Sequence, residues 1–163
     1  MEIRALQKPD FPAVQAIYQQ GIETGDATFE TGVKNWSLWD QNTAQAGRLV
    51  VVEDGSVLAW ACLSDVASRC VYRGVAETSV YIDASARGQG LGLILLNALV
   101  EASEKAGYWT LQARIFPENA ASIVIHQRAG FESLGLHKKL GKLNGIWRDV
   151  QLLERRSPVV GLD

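Results

Sequence analysis

The chain reads as an α/β (α+β) fold: a mixed, mostly antiparallel central sheet of about seven strands flanked by about four helices. Three observations predict it. Helix and strand signals alternate along all 163 residues without a linker, two dipeptides of the Asp/Asn-Gly type mark tight hairpins, and a glycine-rich turn joins a strand directly to a leucine-rich helix.

Ile3 to Leu6 opens the chain as a short strand. Asp10 follows as a helix cap, and Phe11, Val14, Ile17 and Tyr18 recur at helical spacing until about Gly21. Thr24 to Thr31 is polar and glycine-punctuated, and Trp36, Leu38 and Trp39 then open a second helix. From Arg48, LVVVE, the Asp54-Gly55 turn and VLAWACL form an antiparallel hairpin with a two-residue connection. Ala76 to Ile82 is the next strand, with Glu77, Ser79 and Tyr81 on one face and Thr78, Val80 and Ile82 on the other. The leucines of LGLILLNALVEASEKAG keep helical spacing until Gly107 stops them. TLQARI is a strand, Asn119 to Ala129 a short helix ending at Gly130, and two last strands flank the Asn144-Gly145 turn.

Scattered Pro and Gly residues give no domain boundary, so residues 1–163 are expected to form one domain. With 47% hydrophobic and 21% charged residues, the chain belongs with globular proteins and not with disordered ones. Sixteen Lys and Arg against eighteen Asp and Glu leave a net charge of −2, without the basic field that nonspecific nucleic-acid binding requires. No segment reads as a signal peptide or a membrane span, so a cytoplasmic protein without a membrane partner is expected. Cys62 and Cys70 are too few for a disulfide framework and lack the partners of a zinc site, so free thiols and no metal are expected.

The chemistry centres on Arg87-Gly88-Gln89-Gly90-Leu91-Gly92, between a strand and the first turn of a helix. Amides at such a junction are unpaired and lie at the positive end of the helix dipole, so they can hold a diphosphate. Leu93 stands where a dinucleotide fingerprint needs its third glycine, and no Gly-Lys-Ser/Thr closes the turn, so dinucleotide and Walker-type readings fit poorly. A connection needing glycine only for tight packing is the other reading.

SVYIDASARGQGLGLILL resembles the coenzyme A pyrophosphate motif of the GNAT acetyltransferases, Arg/Gln-x-x-Gly-x-Gly/Ala after the central strand. AETSVYI, ENAASIVIHQRAGF and GIWRDV extend the resemblance to the phosphinothricin and amino-acid N-acetyltransferase branch, from about Ile3 to Arg155. The resemblance implies acetyl-CoA as co-substrate, with pyrophosphate held across Arg87, Gly88, Gln89, Gly90, Leu91 and Gly92. It further implies that the strand Val80, Tyr81, Ile82 splays from its neighbour and bonds the pantetheine arm, and that Asn119, with Ser122 nearby, contacts the coenzyme. Asn119 also reads as a simple helix cap, and the two roles are compatible.

Acetyl transfer to an amine needs a neutral nucleophile, a polarised carbonyl and a departing thiolate. Glu77, ten residues before Arg87, is the candidate base for the ammonium proton, against the alternative of an ordinary edge glutamate. Main-chain N–H near Val80 or Tyr81 is the candidate for polarising the carbonyl. His126 occupies the place where many GNAT enzymes put a tyrosine that protonates the thiolate; it is either that acid or a packed structural histidine. In SDVASRCVYRGVAE, Arg69, Tyr72 and Arg73 precede Glu77 closely enough for a guanidinium to clamp an acceptor carboxylate, and Phe29 is the candidate for the opposite wall. The expected partner is a small-molecule amine, with a homodimer expected from the family. The competing readings are a Cys70-His126 or Cys70-His137 acyltransferase, a non-catalytic acyl-CoA sensor, and a transferase for a different amine.

Overall fold

The computed structural model describes residues 1–163. In chain order the elements are β1 (Glu2–Ala5), α1 (Phe11–Thr24), α2 (Trp36–Asn42), β2 (Leu49–Glu53), β3 (Ser56–Asp65), β4 (Val75–Ile82), α3 (Leu91–Lys105), β5 (Thr110–Ile115), α4 (Ala120–Arg128), β6 (Glu132–Leu143) and β7 (Ile146–Arg156). The seven strands form one sheet in the order β1-β2-β3-β4-β5-β7-β6. Every neighbouring pair is antiparallel except β4 and β5, whose parallel pairing requires the crossover that α3 supplies. The mixed, mostly antiparallel sheet with four helices is therefore as expected.

Both hairpin turns have the left-handed pair of residues that a type I′ turn needs: Asp54 and Gly55 at φ 49° and 79°, Asn144 and Gly145 at φ 49° and 80°. Two local expectations are corrected. Asp10 precedes α1 without capping it, because its carboxylate is taken by both guanidinium nitrogens of Arg4, at 2.7 and 2.8 Å, and by the Gln7 amide. Nor does α1 stop at Gly21; it runs to Thr24 and ends at Gly25, whose φ of 74° is the usual left-handed stop. Gly21 is a packing glycine, since a Cβ there would come within 2.8 Å of the Tyr81 ring.

The two faces of the sheet carry different cores. Against α3 and α4 lies an aliphatic one, in which Leu95, Leu96 and Leu99 meet Ala61, Leu63, Ala76 and Leu153. Each of those three helix leucines is fully buried, contributing about 1.5–3 kcal/mol apiece by removal from water. Against α1 and α2 lies an aromatic core: Phe11 meets Trp36 and Trp39, and Trp60 stacks on Tyr81 with ring centroids 4.9 Å apart. Strand β4 feeds both, with Val80 and Ile82 packed into the first and Tyr81 into the second.

Candidate active site

Strand β4 runs into the glycine turn through a braced corner. Asp83 accepts from the Ser85 amide at 2.9 Å and from Gln20 Nε2 at 2.9 Å, while Gln20 Oε1 accepts from the Ala84 amide at 2.7 Å. The Ser85 hydroxyl also donates to Asp83, and this bond first, then those from Gln20 and the Ser85 amide, holds the Asp83 carboxyl below the usual range. Gly88 and Gly90 then adopt φ 76° and 80°, and no atom lies within 4 Å of where their Cβ atoms would be. Gly90 precedes α3 with no side chain capping the helix, so the first amides of a 15-residue helix face open space. Gly92, one residue inside, lets the helix approach closely: a Cβ would meet Ile82 at 3.0 Å and Ile125 at 3.1 Å.

From this turn a cleft of about 1070 Å³ runs along β4. Arg87, Gly88, Gly90, Leu91 and Gly92 line one end, Val80, Tyr81, Ile82, Asn119 and Ser122 the middle, and Glu77, Phe29, Arg114 and Phe116 the other end. The cleft follows a parting of strands. Residues 75–77 of β4 pair with residues 110–112 of β5, and beyond Glu77 no further β4–β5 pair forms although β4 continues to Ile82. Asn119 accepts from the Ser122 amide at 3.3 Å, so the cap role holds, and its side chain still lines the cleft. Phe29 meets Phe116 edge to face at 4.8 Å.

Glu77 is half-buried on the face shared with Ser79 and Tyr81. Burial raises its carboxyl above the ordinary glutamate value, and the guanidinium of Arg114, 3.3 Å away, offsets this only in part. A carboxylate so placed is a stronger proton acceptor than a solvated one.

His126 is held as a packed side chain. It is buried on α4, against the Phe131 ring, and Nδ1 lies 2.8 Å from the Ser122 carbonyl, which can only accept, so Nδ1 carries the hydrogen. Nε2 lies 3.0 Å from Thr78 Oγ1, whose single hydroxyl hydrogen is also within reach of the Gln112 carbonyl at 3.4 Å. Burial lowers the imidazole's pKa and keeps it neutral. Both nitrogens have partners, and the ring holds Thr78 at the cleft wall.

Four expected residues stand outside the cleft lining, which does include His126. Arg69 stacks over Tyr72 and Arg73 over Trp109, on the connection between β3 and β4, and Gln89 turns its side chain back toward the Ser85 carbonyl. The connection joins β4 at Val75, close to Glu77 in the chain, but its arginines are turned to Tyr72 and Trp109 and not into the cleft. Sequence reasoning missed Arg114. Its signal was the alternation in TLQARI: Leu111, Ala113 and Ile115 are buried in the aliphatic core, which leaves Gln112 and Arg114 on the face of Glu77.

Comparison with known proteins places this arrangement. The model of the acetyltransferase (GNAT) family matches residues 2–131. An L-methionine sulfoximine/L-methionine sulfone acetyltransferase of Pseudomonas aeruginosa is 35% identical over 158 residues, covering 93% of this chain and 92% of that one. A phosphinothricin N-acetyltransferase of Alcaligenes faecalis is 34% identical, covering 94% of this chain and 81% of its own. Among solved structures, a GNAT superfamily phosphinothricin acetyltransferase of Sinorhizobium meliloti in complex with AcCoA superposes with a TM-score of 0.89 at 28% identity, over 99% of this chain and 91% of the other.

Proposed function

The chain belongs to the acetyltransferase (GNAT) family, and as an acetyl-CoA-dependent N-acetyltransferase it needs an amine: we propose a small amino-acid-like acceptor such as phosphinothricin or methionine sulfoximine, acetylated directly with Glu77 as the base. One observation carries this reading. A single cleft holds a glycine turn open at a helix N-terminus and, at its other end, a half-buried carboxylate of raised pKa.

The turn suits a diphosphate, because its open space is the space that side chains at Gly88 and Gly90 would fill. Arg87 and the amides from Gly88 to Gly92 would hold that group, and the unpaired edge of Val80 to Ile82, with Asn119 and Ser122 opposite, would hold the arm behind it. Acetyl-CoA supplies the acetyl group as an activated thioester. Glu77 removes the ammonium proton, directly or through water, and leaves the amine neutral. The neutral amine attacks the thioester carbonyl while main-chain N–H at Val80 or Tyr81 donates toward the developing oxyanion; collapse forms the amide and expels coenzyme A as its thiolate, which takes up, through water, the second proton that the nitrogen gives up. His126 fixes Thr78 beside Glu77 and thereby positions β4.

Purified protein incubated with acetyl-CoA and a panel of amino acids and analogues tests the reading through thiol release. Release that depends on an amino-acid acceptor is expected; acetyl-CoA binding without release to any acceptor would make the chain a sensor.

Residues 1–163 forming one domain is supported by the single sheet. A homodimer is supported by β6, a 12-residue edge strand, almost wholly exposed, that carries Leu134, Leu136 and Leu140. Sedimentation should give twice the chain mass. A cytoplasmic setting is supported by the unpaired Cys62 and Cys70 thiols. No helix is long and apolar enough to cross a membrane.

A further inference from the structure

Lys34, Arg87 and Arg114 are the lysine and arginine side chains lining the cleft. Arg87 belongs to the glycine turn, and Lys34 is turned to Glu30 at 3.6 Å. Arg148 comes near the acceptor end but is consumed by the Gly25 carbonyl, Asp26 and Glu118, at 2.7, 2.8 and 3.3 Å. Arg114 alone stands beside Glu77. Its two contacts are long, 3.3 Å to Glu77 and 3.4 Å to Gln112 Oε1, and a guanidinium has five N–H donors, so most of its fork is uncommitted. It sits two residues past the last β4–β5 pair, where the strands part, on the same face as Glu77 and partly exposed.

We propose that Arg114 binds the α-carboxylate of the acceptor while Glu77 faces its α-ammonium, so that this pair reads the zwitterion of an α-amino acid. The inference rests on the transferase reading and names its specificity. In an amino acid the two charged groups share one carbon, and here a guanidinium and a carboxylate stand side by side in the same order of charge, each the complement of one group. The fork matches a carboxylate bidentately, which an ammonium in its place would not do. The Arg69 and Tyr72 clamp expected from the sequence is thereby replaced by a residue on the neighbouring strand.

The test compares two acceptors that differ only in the carboxylate: methionine sulfone and its α-carboxamide. Wild type should prefer the acid by about 10- to 100-fold in kcat/KM, the worth of a charge-assisted contact. In Arg114→Ala and in Arg114→Gln, each checked for folding by thermal melting, that preference should vanish, because the KM for the acid rises far more than the KM for the amide, whatever change in Glu77 the two acceptors share. Arg114→Lys should restore part of it. If both acceptors fall in parallel and the preference survives, Arg114 serves only as the partner of Glu77 and the proposal is overturned. Wild type that acetylates the amide as well as the acid also overturns it while leaving the transferase reading intact; wild type that acetylates neither overturns both.

Discussion

At the glycine turn the protein offers main-chain amides and open space, whereas at Glu77 it offers side-chain charges held by partners far along the chain. The first end rests on the aliphatic core of α3 and α4, the second on aromatic stacking and ion pairs under α1 and the segment after it. A backbone site needs glycines in sequence order and little else. A charge pair needs two strands to be aligned in register, and only the folded sheet does that.

The sharpest way to break this contrast is Glu77→Gln. Turnover should fall roughly 10²- to 10⁴-fold near neutral pH, the range for a positioned base, while the acetyl-CoA Kd measured by calorimetry stays near the wild-type value. The deficit should narrow as pH rises toward the amine pKa. A parallel loss of coenzyme affinity would mean that the two ends are not separable. The converse substitution is Gly90→Asp, which puts a carboxylate where the open amides face solvent and asks a non-glycine residue to adopt φ 80°. Acetyl-CoA affinity should drop at least about tenfold, about 1.4 kcal/mol, and unchanged affinity would sink the turn as the phosphate seat.

Gly21→Ala asks whether the aromatic side shapes the acceptor end. Helix propensity favours Ala by about 0.5–1 kcal/mol. Against that, the new Cβ meets Tyr81 ring atoms at 2.8 Å, and the ring is pinned by Trp60 and Tyr18, so overpacking of about 1–3 kcal/mol wins. A lowered Tm, with the acceptor KM raised more than that of acetyl-CoA, is the expected outcome.

The smallest effect separates the faces by titration. The pKa of His126 lies below its ordinary 6.5 in the folded chain, so its contribution to stability is full above pH 6.5 and is lost as pH falls through the folded value. Glu77 runs oppositely: its pKa lies above 4.5, so its contribution is present below that and lost as pH rises through the folded value. Urea midpoints between pH 7.5 and 4.5 should therefore fall less steeply on acidification for His126→Gln than for wild type, and more steeply for Glu77→Gln. Identical slopes in all three proteins would remove both groups from the pH dependence of folding.

Much of the fold was legible because its signals are local. Asp54-Gly55 and Asn144-Gly145 announce their hairpins, and the leucines of α3 announce a helix with one buried face. The misreadings share a cause in tertiary contact. Gly21 looks like a stop until Tyr81 is seen against it, and Asp10 looks like a cap until Arg4 takes it. For the site, the glycine turn and Glu77 could be read from one continuous segment. Arg114 could not, because it reaches Glu77 across 37 residues and a helical crossover, and proximity in sequence favoured Arg69 and Tyr72 instead. His126 was left open between two roles, and only the folded chain shows the bonds to Ser122 and Thr78 that pack it.

The parting of β4 from β5 has a thermodynamic consequence. The sheet is left without a partner along one edge of residues 78–82, where ladder bonds would otherwise hold it, so the protein alone is an incompletely bonded sheet. A ligand seated in that gap binds the folded chain and not the unfolded one, and folding free energy rises with its concentration by RT ln(1 + [L]/Kd), about 2.7 kcal/mol at a hundredfold excess over Kd. In a chain of this size each kcal/mol moves Tm by roughly 2–4 °C. Resistance to heat and proteolysis is thus coupled to the supply of acetyl-CoA: the chain is sturdiest when coenzyme is plentiful and most open to degradation when it is scarce.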